Sequence, residues 1–180
     1  MADKIKHAGN LAGYSVLVTG GGTGIGTGCA AELAADGAAV TICGRRRDVL
    51  EAAAEKIVEA AGFGGSVQVV TGDVTVEEDV ARIVSISLEP TGKLDGCIAN
   101  AGGGGMLTGY ETMDTAEFLR VLNLNVIGTM LCIKYSLPHM IKAGGGAFVG
   151  MSSLAGHVTH PWMGAYPVSK AGIEAMIKNA

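Results

Sequence analysis

The apolar run SVLVT passes without a spacer into Thr19-Gly20-Gly21-Gly22-Thr23-Gly24-Ile25-Gly26 and then into an alanine-rich stretch. Few structures satisfy that order. The run reads as a buried strand, the glycines as a sharp turn, and the alanines as a helix packed back on the strand. Such a turn brings backbone N–H groups to the positive end of the helix, where an anion binds. Side chains at Gly24 or Gly26 would fill the space that phosphates or helix–strand packing require. A plain flexible turn is the competing reading; the flanking strand and helix favour phosphate binding.

The hydrophobic period then switches regularly. Continuous apolar runs at 15–19, 39–43, 67–71, 95–99 and 147–151 predict strands covered on both faces. Helix-like stretches at 25–36, 48–61, 77–89 and 115–143 separate them, and a last helix starts at Tyr166 and is still running at Ala180. Asp114 and Glu117 stand in capping-box spacing before the long stretch, and Gly144-Gly145-Gly146 ends it. The expected fold is α/β, a Rossmann-like doubly wound parallel sheet with helices on both faces. With no repeat or linker, one domain is expected over 11–180, preceded by an extension over 1–10. Left alone, the run 147–151 would be an exposed apolar edge. A longer polypeptide, of which this is the front part, is therefore expected.

Thirteen basic and seventeen acidic residues give a net charge of -4 without a basic stripe, which argues against nucleic-acid binding. There is no signal-peptide core and no run of about 18 consecutive apolar residues, so a cytoplasmic location and no membrane partner are expected. Cys29, Cys43, Cys97 and Cys132 lie far apart and read as buried reduced thiols, with no metal site expected. The 29 glycines, without a collagen period, fit tight turns and close backbone approach to a ligand.

At the end of the second strand, a carboxylate would bond a free ribose 2′-hydroxyl. Gly44 stands there instead, followed by Arg45, Arg46 and Arg47. Loss of the carboxylate removes repulsion toward a 2′-phosphate, and a guanidinium can bind that phosphate through two bonds. NADP(H) is the expected cofactor and NAD(H) the alternative; a solvated basic helix start competes with both.

Taken together, these residues resemble the short-chain dehydrogenase/reductase family, in its ordinary rather than extended subgroup, over nearly the whole chain. The match rests on Thr19-Gly20-x3-Gly24-x-Gly26, Asp73 in Gly72-Asp73-Val74, Asn100-Ala101-Gly102, Asn125 in Asn125-Val126-Ile127-Gly128, and Ser153 thirteen residues before Tyr166-x3-Lys170. Of the four tyrosines, only Tyr166 has lysine four residues on. On a helix that spacing puts both side chains on one face, although a surface tyrosine above a solvated lysine would do the same. Asn125 is unusual by itself, because asparagine among leucines and valines is disfavoured inside a helix.

The resemblance implies roles. Gly20, Thr23, Gly24, Ile25, Gly26, Arg45, Arg46, Asp73, Val74, Asn100, Ala101, Gly102, Tyr166 and Lys170 would bind the dinucleotide, with Asp73 at the adenine. Tyr166 would be the general acid/base, Ser153 would polarise the substrate oxygen, and Asn125 would hold a water feeding protons to Lys170. A phenol is a weak base at neutral pH; an ammonium about 5 Å away, at an effective dielectric of about 20, favours the phenolate by roughly 3 kcal/mol. Lys170 would supply that charge and bind the nicotinamide ribose. The implied reaction interconverts a small-molecule carbonyl and a secondary alcohol, in a homodimer or homotetramer. A non-catalytic dinucleotide-binding module and an enoyl or dienoyl thioester reductase are the alternatives.

Four features depart from the family pattern. Pro167 follows Tyr166, where proline is tolerated in a first helical turn. Gly102-Gly103-Gly104-Gly105 predicts a mobile loop over the cofactor. His157 and His160 are placed to face a substrate, while Trp162 and Met163 either line its pocket or cap the core. In the family, the segment after the last helix adds two strands and a substrate lid, and those C-terminal strands and lid are expected to be missing here.

Overall fold

The structure is a computed structural model that describes residues 7–158 and 161–180. Five strands, β1 (Ser15–Thr19), β2 (Ala39–Gly44), β3 (Ser66–Thr71), β4 (Gly96–Ala99) and β5 (Ala147–Gly150), form one parallel sheet in the order β3-β2-β1-β4-β5. The helices are α1 (Gly24–Ala35), α2 (Arg47–Ala60), α3 (Glu77–Ser87), α4 (Thr115–Leu122), α5 (Gly128–Lys142) and α6 (Tyr166–Asn179). The α/β fold expected from the switching period is the fold observed.

Pleating sends neighbouring side chains of β1 to opposite faces. Val16 and Val18 join Val40 and Ile42 under α1 and α2, with Ala30, Ala34, Leu50 and Ile57. Leu17 joins Cys97 and Val70 on the other face, against Val80, Ile83 and Val84 of α3 and Leu131, Cys132 and Met140 of α5. Each fully buried leucine or isoleucine contributes roughly 1.5–3 kcal/mol. The central strands β1 and β2 are buried as continuous apolar runs should be. The outer strands depart from that expectation, because each lacks a neighbour on one side. Most of β3 is only half-covered, and β5 leaves Ala147 and Val149 exposed.

The stretch expected as one helix over 115–143 is divided. Between α4 and α5, residues Asn123–Ile127 form a π-helical segment, an insertion that often marks a functional site. The capping box is only half formed. Asp114 accepts from Ala116 N (3.0 Å), but Glu117 turns to Arg120 and the amide of Met106 instead of back to its cap. Gly144 (φ 88°) and Gly145 end α5, with Gly145 N donating to Met140 O. By length and mean composition Thr115–Lys142 could cross a membrane, although it holds no unbroken apolar run of that length, and α5 packs Leu131, Cys132 and Met140 into the sheet's core.

The thiols of Cys43, Cys97 and Cys132 are buried and free, and Cys29 is half-buried. Burial pushes Cys43 up to about 12. The neighbouring Cys97, together with burial, raises Cys132 well above the usual thiol value.

Candidate active site

In this strand order the chain leaves β1 toward β2 on one side, while β4 lies on the other. The carboxyl ends of β1 and β4 therefore open a crevice, the usual ligand position in such sheets. There Gly20 takes φ 65° and Gly24 φ 57°, conformations that an L side chain adopts only with strain. A β-carbon on Gly26 would overlap the carbonyl of Gly20 and come within 2.6 Å of Asn100 Nδ2. The two strand ends are stitched together. Asn100 Nδ2 donates to Thr19 O (2.9 Å) and Gly20 O (3.3 Å), and Ala101 N donates to Thr19 Oγ1 (2.9 Å).

The result is a cleft of about 470 Å³. Gly20, Thr23, Gly24 and Ile25 line it from the glycine turn. Arg45 and Arg46 line it after β2, Asp73 and Val74 after β3, and Asn100, Ala101 and Gly102 after β4. Gly26 lies behind its wall as a packing position. Arg47 pairs with Glu51 at 2.7 Å, whereas Arg45 and Arg46 join no ion pair among the described residues. Asp73 holds its own turn, with Oδ1 accepting from the amide and hydroxyl of Thr75. Its amide donates to Asp79, whose carboxyl is held low by that bond and by Arg82.

The second half of the candidate site adjoins this cleft through Gly102. A β-carbon there would meet Asn125 Oδ1 at 2.9 Å and Lys170 Nζ at 3.5 Å. Lys170 is 4% exposed, and its Nζ donates to Met151 O (2.7 Å), just beyond β5. Its charge lies 5.5 Å from the centre of the Tyr166 ring, one helical turn away. Burial pulls the Lys170 ammonium below the usual lysine value. Pro167 occupies the first turn of α6, so the helix starts at Tyr166 without loss of the Tyr166–Lys170 face. Ser153 opens a short 3-10 turn (Leu154–Gly156) packed on α6, and its Oγ accepts from Ala155 N (3.2 Å).

Asn125 is fully buried in the π segment and clamps the glycine loop. Its Oδ1 accepts from Gly103 N, and its Nδ2 donates to Gly103 O and Ser169 Oγ, at 2.8–2.9 Å. Ser169 Oγ donates in turn to Tyr166 O (2.7 Å). The tetraglycine, expected to be mobile, is thus pinned at Gly103 because the π segment aims an amide at both its backbone groups. The side-chain role of Thr19, named only as part of the glycine motif, and Ser169 altogether escaped sequence reasoning. Their roles depend on which hydroxyls meet across strands and helices, although Ser169 sits three residues after Tyr166 on one helical face.

A second cleft of about 650 Å³ lies against Pro167, Val168 and Ala171, under Thr108, Tyr110 and Trp162. Trp162 lines it rather than capping the core; it is exposed and holds φ 68°, a strained conformation for a bulky residue. Met163 bridges to Thr108 beside it. His157 is exposed and pairs with Glu174, while His160 lies outside the described residues.

Comparison with known proteins agrees with this geometry. A cis-4-hydroxycyclohexanecarboxylate dehydrogenase of Sinomonas cyclohexanicum is 35% identical over 164 residues, which are 91% of this chain and 64% of that protein. A short-chain type dehydrogenase/reductase from Mycobacterium ulcerans superposes with a TM-score of 0.92 at 38% identity, covering 94% of this chain and 62% of that one. An NAD+-bound xylitol dehydrogenase superposes at 0.89 and 33% identity, covering 94% and 64%. The chain spans less than two thirds of the length of each of these relatives. The family described as short chain dehydrogenase matches residues 14–180, which is nearly all of the sequence and every element from β1 to α6. With the glycine cradle, the parallel sheet and the Tyr166–Lys170 helix in place, the chain belongs to the short-chain dehydrogenase family.

Proposed function

We propose that this chain forms the cofactor-binding and catalytic part of an NADP(H)-dependent oxidoreductase that interconverts a carbonyl and a secondary alcohol. The observation that carries the reading is Lys170: a buried ammonium 5.5 Å from the Tyr166 ring and beside Gly102 of the dinucleotide-shaped cleft. The cradle fits such a cofactor, since Gly20 and Gly24 keep the backbone bare in the cleft wall where phosphates must approach, and Gly26 lets the turn close against Asn100 behind it. A bound nicotinamide would supply the hydride.

The protein's own part is the proton and the charge. Hydride addition to a carbonyl carbon leaves an alkoxide, so Tyr166 gives its hydroxyl proton to that oxygen while Ser153 donates a hydrogen bond to it. Lys170 stabilises the phenolate that remains. Both Nδ2 protons of Asn125 are committed, so a water relaying protons to Lys170 would donate to an Asn125 oxygen. The second cleft, floored by the residue after Tyr166, would receive the rest of the substrate.

The preference for NADP(H) rests on Gly44 at the end of β2 and on Arg45 and Arg46 in the cleft wall. NADPH is expected to bind more tightly than NADH. Arg45→Ala should weaken NADPH roughly 10-fold or more, the value of one charged hydrogen bond, and leave NADH unchanged. Dissociation constants from cofactor fluorescence check this; equal affinities in the wild type would refute the 2′-phosphate assignment. The catalytic reading is tested by NADPH oxidation with a panel of aldehydes and ketones, using protein expressed from its full reading frame. Cofactor binding with no turnover on any carbonyl would support a non-catalytic binding module instead.

A further inference from the structure

Ser153 sits inside the hexapeptide Ser152–His157, and both ends of that segment converge on one carboxylate oxygen. Glu174, one turn beyond Lys170 on α6, accepts from Ser152 Oγ through Oε1 at 2.6 Å. The same oxygen lies 3.1 Å from His157 Nε2. Ser152 Oγ also reaches Lys170 O at 3.3 Å, which ties the segment to the turn that carries the lysine. The Glu174 side chain is 17% exposed, so its bond with Ser152 is partly shielded from water, while His157 approaches from the solvent side. Gly156 completes the arrangement. A β-carbon there would meet Glu174 Oε1 at 2.6 Å, Ser152 Oγ at 3.1 Å and Ala171 N at 3.2 Å.

Among the described residues Ser153 makes only local bonds, accepting from Ala155 N through Oγ and from Gly156 N through its carbonyl. None of those described contacts fixes its distance from Tyr166. We infer that Glu174 is a positioning residue for Ser153, clamping the Ser152–His157 segment to α6 so that the serine hydroxyl and the Tyr166 hydroxyl keep one spacing across the substrate oxygen. This inference rests on the proposed carbonyl chemistry for its kinetic consequence, but not for its structural one. Small misplacements of a reacting group cost much rate, so the clamp matters to kcat more than to cofactor binding.

The test uses Glu174→Ala and Glu174→Gln in protein expressed from its full reading frame. Glu174→Ala is expected to lower kcat about 10-fold or more, to change cofactor KM less than about 2-fold, and to speed amide exchange at Ala155, Gly156 and His157. Glu174→Gln still accepts from Ser152 and should return kcat to within about 3-fold of wild type. Gly156→Ala, which displaces the carboxylate without removing it, should reproduce the Glu174→Ala loss. The inference is overturned by unchanged kcat and exchange in Glu174→Ala, or by a glutamine variant as impaired as the alanine variant. Equal loss of kcat, cofactor affinity and melting temperature would also overturn it, marking Glu174 as a packing residue. If the wild type binds cofactor but reduces no carbonyl, the functional reading fails alone. The three amides then decide: exchange that depends on Glu174 supports the clamp, and exchange indifferent to it refutes it.

Discussion

Tyr166→Phe is expected to abolish carbonyl turnover, by about 10²–10⁴-fold or more, because it deletes one oxygen and with it the proton donor. The ring stays, so the contact with the Lys170 ammonium 5.5 Å from its centre should persist and α6 should keep its place. NADPH affinity should therefore remain within a few fold of wild type, since the cleft walls are the glycine turn and the ends of β2, β3 and β4. Initial rates and cofactor fluorescence, taken on one preparation, separate the two effects. Retained turnover would remove Tyr166 from the chemistry; lost cofactor binding would mean that the tyrosine serves the cleft instead.

The second large effect concerns two glycines two residues apart on α1, for which opposite outcomes are expected. Gly26→Val must place side-chain atoms against Gly20 O and within 2.6 Å of Asn100 Nδ2, the group that holds the ends of β1 and β4 together. The backbone on one side cannot yield, so overpacking should cost about 1–3 kcal/mol, and the displaced, half-buried Asn100 loses its bonds to Thr19 O and Gly20 O. Thermal melting should fall by several degrees and NADPH binding should be lost. Gly28 has open space around its would-be β-carbon and an exposed position on the same helix. Gly28→Ala should therefore stabilise the chain by about 0.5–1 kcal/mol, through reduced freedom of the unfolded backbone, with cofactor affinity unchanged. Equal responses at both positions would contradict the close-packed role given to Gly26.

The contrast between those glycines shows what a sequence can disclose. Spacing marks Gly24 and Gly26 together as places where a side chain would fill room needed by phosphates or by helix–strand packing; only the fold assigns the packing part to Gly26. Likewise the strands β1 and β2 announce themselves as unbroken apolar runs, and Tyr166 and Lys170 as a pair one helical turn apart. Asn125 stood out as a polar residue in apolar company. Its actual work, gripping Gly103 from a π segment, was hidden, because the same residues satisfy α and π hydrogen bonding equally well until the tertiary partner is known. Glu117 matches a capping box yet bonds the Met106 amide, a partner eleven residues away that no local rule weighs. Ser169 and Glu174 were silent for the same reason: a serine or glutamate on a helix reads as solvent-facing until a second element is laid against it.

The role of Lys170 needed both levels of description. Spacing placed it near Tyr166, but only the fold buries it and supplies Met151 O as a fixed acceptor. Burial disfavours its charge, and the same low-dielectric surroundings would strengthen the field of an ammonium there on the neighbouring phenol, as the proposed role requires.

The most direct measurement follows the hydride itself. NADPH carrying deuterium at the reactive C4 position would be mixed with the protein and a ketone that it turns over. The product alcohol is predicted to carry deuterium on its carbinol carbon, with a primary isotope effect, and to carry none when Tyr166→Phe replaces the wild type. Deuterium on a carbon of a reduced C=C bond, or none in the product while NADPH remains bound, would contradict the account.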